Sequence, residues 1–104
     1  MANFRVSAIA GQRLDEIFAY TERNWGDAQA EAYIQGLFEC FTRIAKREVV
    51  WRAVPAEFGV DGFYARHEHH YVYWRILSDE TVGIVTVLHE RMHQMDRFRE
   101  DLPK

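Results

Sequence analysis

At 104 residues and a formal net charge of −3, the chain has the size of one domain spanning residues 1–104. Its 48 % hydrophobic and 14 % aromatic content excludes an intrinsically disordered polymer. No apolar run approaches the roughly 18 residues of a membrane span, and the N-terminus lacks a signal-peptide pattern. Cys40 stands alone, which rules out a disulfide framework and a cysteine-based zinc site, so the expected location is the reducing cytoplasm. The acidic balance argues mildly against a surface built to coat nucleic acid.

The chain opens with Asn3-Phe4-Arg5-Val6-Ser7, whose alternation predicts a short strand. Ser7 then suits a helix N-cap, because its hydroxyl can accept from free N–H groups of the first turn. Ala10, Leu14, Ile17, Phe18 and Thr21 recur on one helical face, and Gly26 after Trp25 is a natural stop. Asp27 is the expected cap of a second helix reaching about Lys46, with Ala30, Tyr33, Ile34, Leu37, Phe41 and Ile44 on its apolar stripe. Gly36 inside that helix costs roughly 1 kcal/mol relative to alanine, which suggests close approach to the first helix. So short a connection predicts an antiparallel helical hairpin.

From Val49 to Asp61 the pattern is irregular, with Pro55, Gly59 and room for a short strand at Val50-Trp51-Arg52. Trp51, Val54 and Phe58 suggest that this loop packs down. Three β-rich runs follow, Gly62 to Glu68, His70 to Leu77 and Val82 to Leu88, and they read as an antiparallel meander. In the middle run Val72, Trp74 and Ile76 share one face, against Tyr71, Tyr73 and Arg75 on the other. Met95, Phe98 and Leu102 are spaced for a short terminal helix. The expected fold is therefore α+β, in the order β-α-α-β-β-β, with the helical hairpin packed on an antiparallel sheet.

His89-Glu90-Arg91-Met92-His93 spells H-E-x-x-H, the helix-borne signature of zinc metalloproteases. A zincin needs both histidines on one helix, four apart, so that both rings reach one metal. Here His89 follows a run of β-branched residues, which places it at a strand end, and no third ligand lies at the usual spacing downstream. The spelling is read as accidental. His67, His69 and His70 form a second histidine group, and solvated hairpin side chains are the preferred reading of it over a metal site. No metal or cofactor is expected.

Several pieces taken together resemble the RelE/ParE superfamily of bacterial toxins from type II toxin–antitoxin pairs, and within it the ParE branch. They are Ser7 with Ala10 and Leu14, then Tyr20, then Trp25-Gly26 with Gln29-Ala30 and Tyr33. "AEFGVDGFYAR", "HYVYWRIL" and "GIVTVLHERMH" follow, the last ending in the Leu-His-x-x-Met pattern typical of ParE-like final strands. The resemblance covers nearly the whole chain. It implies a toxin neutralised by a ParD-like or other antitoxin in a toxin–antitoxin hetero-oligomer.

The superfamily implies two mechanisms. ParE-like members act on DNA gyrase without a recognised nuclease centre, and RelE-like members cut ribosome-bound mRNA with clustered basic and acid–base residues. The 13 lysines and arginines are outnumbered by 16 acids, and the loop from Glu48 to Phe58 lacks the lysine cluster of RelE enzymes, so gyrase inhibition is the expected function. The nuclease alternative would use Arg66 and Arg75 to stabilise a phosphorane and His89 to move a proton, with Tyr71 or Tyr73 stacking on a base or delivering a proton. A third class is a non-toxic protein-interaction domain. The expected antitoxin contacts are Tyr20, Trp25 and Tyr33 as apolar anchors, with Arg66, Arg75 and Arg91 pairing with carboxylates at the rim.

Overall fold

The computed structural model describes residues 3–56 and 61–102, so Phe58 and its expected packing lie outside the described residues. Strand β1 (Phe4–Val6) leads into Ser7, whose extended backbone caps helix α1 (Ala8–Trp25). The Ser7 hydroxyl accepts from the Ala10 N–H at 3.0 Å and donates to the Val85 carbonyl at 2.8 Å, so one side chain starts the helix and ties it to the sheet. Gly26, at φ 91°, ends α1 and also opens helix α2 (Asp27–Ala45). Asp27 is therefore not the cap. With a single connecting residue it falls inside the first turn, where its carboxylate favours the positive end of the helix dipole.

Ala10 and Leu14 of α1 and Ala30, Leu37, Cys40, Phe41 and Ile44 of α2 are buried, as the periodicity predicts. Thr21 is buried as well, its hydroxyl donating to the Ile17 carbonyl at 2.7 Å. Gly36 does not meet the first helix. A Cβ there would come within 3.4 Å of the His67 ring, so the glycine accommodates the sheet.

The remaining strands are β2 (Arg52–Ala53), β3 (Phe63–His67), β4 (His70–Ile76) and β5 (Val82–His89), followed by helix α3 (Gln94–Asp101). They form a five-stranded sheet in the order β1-β5-β4-β3-β2. Strands β2 to β5 pair antiparallel, but β1 runs parallel to β5, so the sheet is mixed rather than wholly antiparallel. The last strand therefore lies inside the sheet, and it is buried from Val82 to Leu88.

Each face of the sheet carries its own apolar cluster. On one side Ala65, Val72, Trp74, Val82, Ile84 and Val87 meet the helical hairpin. On the other, Tyr73, Val85 and Leu88 meet Phe98 of α3, with Tyr64, Tyr71, Met92, Met95 and Leu102 around them. A bulge supports this arrangement. Tyr73 pairs with Thr86 and Trp74 with Ile84, which leaves Val85 as the extra residue and turns Val85 and Thr86 together toward α3. Strand β1 stops pairing at Ile84, and along the rest of that edge Arg13 of α1 meets Asp101 of α3. The guanidinium donates from Nε and Nη2 to the two Asp101 oxygens at 3.0 and 2.9 Å, and the Thr86 hydroxyl adds a third bond at 2.8 Å.

Candidate functional site

His89 closes β5, a turn follows, and His93 immediately precedes α3. The two histidines of the zincin spelling therefore do not share a helix face. His89 Nδ1 accepts from the Arg91 backbone N–H at 3.1 Å. The Glu90 carboxylate accepts from Arg66 Nη2 at 2.7 Å and is bonded to His69 Nδ1 at 2.9 Å, while the Glu90 N–H donates to the His69 carbonyl at 2.9 Å. The glutamate thus clasps the β3–β4 hairpin to the end of β5. The His69 bond, with help from Arg66, holds its carboxyl below the usual range.

On the hairpin-facing side of the same corner, Tyr33 lies between His67 and His70, with ring centroids 5.9 and 5.4 Å away. Its hydroxyl is hydrogen-bonded to His70 Nδ1, and the His70 ring meets His89 edge-on at 5.2 Å. Desolvation drives the buried His70 and the half-buried Tyr33 and His67 toward neutrality. It pushes Tyr33 up to about 12 and His70 down to about 4, and it lowers His67. His67 Nε2 is buried without a hydrogen-bond partner among the described residues. Among those residues no group of three His, Cys, Asp or Glu is placed to hold a metal ion.

Arg66 and Arg75 project from the opposite sheet face. Arg66 Nε donates to the Glu68 carbonyl at 2.9 Å, and its guanidinium lies 5.8 Å from the Tyr71 ring centroid. Arg66 pairs with Tyr71 across the strands, and Arg75 lies four residues further along β4, about 13 Å away at strand rise. His89, paired with His70, points to the hairpin side. Arg66, Arg75 and His89 are therefore not brought together. Tyr71 is half-buried, and Tyr73 is buried, stacked on Phe98 at 4.8 Å, with its hydroxyl donating to Gln94 Oε1 at 2.9 Å. Burial raises the Tyr73 phenol well above its ordinary value.

Of the three expected anchors, Tyr20 and Trp25 stand 54 % and 59 % exposed near the hairpin connection, edge-on at 6.0 Å. Tyr33 is half-buried in the histidine corner, and Arg91 is exposed in the turn before α3. The sequence reading missed a second apolar surface. A cavity of about 120 Å³ opens between Ile44, Val49, Trp51, Phe63, Trp74 and Ile76, with Arg47 at its side. Exposed Val50, Trp51 and Ile76 lie at or beside it. Further along α2, Phe38 is also exposed, and it stacks edge-on with Phe41 and tilts toward Phe4. The legible signal for Phe38 was its position beside Leu37, which widens the apolar face of α2 beyond the core stripe.

Residues 4–94 match the family described as the ParE toxin of type II toxin–antitoxin systems, parDE. The chain belongs to the ParE toxin family. It is 35 % identical over 102 residues to "Toxin ParE" of Escherichia coli, covering 98 % of each chain. It is 30 % identical over 91 residues to "Toxin ParE1" of Mycobacterium tuberculosis (strain CDC 1551 / Oshkosh), covering 88 % of this chain and 92 % of that one. A solved chain of the chromosomal ParDE system from P. aeruginosa shares the fold at a TM-score of 0.66 and 16 % identity, covering 86 % of this chain and 96 % of that one. The protein is thus a ParE-type toxin of a type II toxin–antitoxin system. The family match runs from β1 to the first residue of α3 and so includes the Glu90 clasp, the histidine corner and both arginines. No helix among the toxin's described residues is long and apolar enough to cross a membrane.

Proposed function

We propose that this ParE-type toxin arrests growth by binding DNA gyrase in the cytoplasm, not by cutting RNA, and that a ParD-like antitoxin neutralises it. The observation that carries the reading is the dispersal of the residues an RNA-cutting mechanism would need. Arg66 is engaged by Glu90, Arg75 lies at the far end of the same face, and His89 points to the other side of the sheet. A phosphoryl transfer with in-line displacement needs its acid, base and charge-stabilising groups within hydrogen-bond reach of one phosphate. Of the two phenols that mechanism would use, Tyr73 is buried and bonded to Gln94, and Tyr71 is half-buried beside Arg66. Inhibition by binding needs no such convergence, only an accessible surface.

For the antitoxin, the proposed anchors are Tyr20 and Trp25 together with the Trp51–Ile76 groove and the neighbouring Phe38. Large apolar side chains left in water are what a partner that orders on binding can bury. Arg66, Arg75 and Arg91 are proposed to meet its carboxylates, adding rate and specificity more than affinity. Tyr33 is proposed to contribute mainly by holding α2 to the hairpin, because its hydroxyl is already bonded to His70.

Induced expression should halt growth with filamentation and DNA-damage signalling, and the purified protein should block supercoiling by gyrase. Cleavage of ribosome-bound mRNA with normal supercoiling would establish the RelE-like alternative. Harmless expression would leave a non-toxic interaction domain.

A further inference from the structure

Away from α3, the sheet face that bears Arg66 ends in a row of three residues on adjacent strands. Arg5 of β1 pairs with Gly83 of β5, and Gly83 pairs with Arg75 of β4. Partners across strands point to the same face, and Phe4, Val6 and Trp74 already face the helical hairpin. The two guanidinium stems therefore rise on the other side, flanking a residue with no side chain. Leu77 leans over the glycine, and a Cβ at Gly83 would come within 2.9 Å of its Cδ2. Together with Val85 these residues line a cavity of about 150 Å³.

The charges around this cavity are unbalanced. Arg75 is only partly exposed, yet it makes no ion pair or hydrogen bond among the described residues. Arg5 pairs with Asp79 at 3.0 Å, but both side chains are well exposed, and such pairs contribute little and exchange readily. In a chain whose net charge is −3, an uncompensated guanidinium beside an apolar floor marks a place for an anion on an aliphatic stem.

We propose that the Arg5–Gly83–Arg75 row is a carboxylate-binding cradle that receives an aspartate or glutamate side chain of the antitoxin. The stem would lie against Leu77 and Val85, and the carboxylate would take charge-assisted hydrogen bonds from the two guanidiniums. A nucleic-acid backbone fits less well. Its successive phosphates need a run of cations, and the adjoining turn instead carries Asp79 and Glu80. The cradle rests on the reading that the toxin has an antitoxin partner, and it is tested separately from toxicity.

The test uses the purified full-length chain labelled with nitrogen-15, following the arginine Nε–H resonances. The probe is a short capped peptide of alternating leucine and glutamate, compared with its glutamine counterpart. The glutamate peptide should shift Arg5 and Arg75 saturably and leave Arg23 and Arg97 unmoved, and the glutamine peptide should shift neither. Arg75→Gln should weaken the titration roughly tenfold, the scale of a charge-assisted hydrogen bond, with an unchanged melting temperature. Arg5→Gln provides a second variant should Arg75→Gln fold poorly. Equal shifts with the glutamine peptide, even shifts across all arginines, or tighter binding of inorganic phosphate than of the glutamate peptide would each overturn the cradle. Growth arrest without peptide binding rejects only the cradle, and peptide binding by a harmless protein rejects only the toxin mechanism.

Discussion

Both oxygens of Glu90 are engaged, one by the Arg66 guanidinium and the other by the His69 ring, and His93 lies beyond a turn from His89. Purified protein is therefore expected to carry no stoichiometric zinc and to keep its melting temperature in chelator. Zinc bound one-to-one and lost in His93→Ala would contradict this. His70 sets a pH dependence. Desolvation, reinforced by the neighbouring histidines, pushes its ring down to about 4 from an ordinary 6.5. Between those values the unfolded chain binds the proton and the folded chain does not, so stability should rise with pH across the window, by up to about 3 kcal/mol. Burial of His67 acts in the same direction. Urea midpoints measured through the window should show this slope, and His70→Gln should flatten it. Trp25 and Tyr33 should separate under substitution. Trp25→Ala removes an exposed ring, so it should stay folded while antitoxin affinity falls by roughly 2 kcal/mol. Tyr33→Phe breaks the bond to His70 and should lower stability by about 1 kcal/mol with affinity retained, as calorimetry and thermal melts would show.

At the scale of elements, α3 is the least self-sufficient piece. Eight residues are too few for a stable isolated helix, so its order comes from what it docks on. Phe98 stacks on Tyr73, and Asp101 takes the Arg13 guanidinium and the Thr86 hydroxyl. Phe98→Ala should cost about 3–5 kcal/mol and expose the Tyr64–Tyr71–Tyr73 face, read as increased dye binding and faster amide exchange in α3 and β5. Asp101→Asn keeps the volume but leaves Arg13 without its main counter-charge, and a loss of about 2 kcal/mol is expected from chemical denaturation. If Asp101→Asn were silent, the contact between α1 and α3 at the bare edge of β5 would contribute nothing to stability.

For the whole molecule, the informative feature is the set of apolar residues that folding leaves exposed. Trp74 is buried, but Trp25 and Trp51 are exposed at opposite ends of the α2 surface. An antitoxin that covers both should blue-shift the fluorescence of both and give a negative heat-capacity change on binding. Trp51→Phe and Trp25→Phe would resolve the two contributions. A fluorescence change confined to Trp25 would restrict the interface to the hairpin connection.

Where the controlling forces are local, the sequence alone determined the structure. Helical periodicity marked α1 and α2, the Ser7 hydroxyl and Gly26 marked their ends, and turn residues separated β3, β4 and β5 to within a residue or two. The strand-end position of His89 was equally legible, from the β-branched run before it. The tertiary structure decided everything that depends on which strand lies beside which. A parallel β1 put β5 inside the sheet, and the bulge at Val85 turned two consecutive residues toward α3. Strand pairing sent His89 to one face and Arg66 and Arg75 to the other, and it aligned Arg5 near the start of the chain with Arg75 and Gly83 near its end. Periodicity records how a segment alternates about its own axis, but strand order and register come from contacts between distant segments, and the shared faces of these side chains follow from that register.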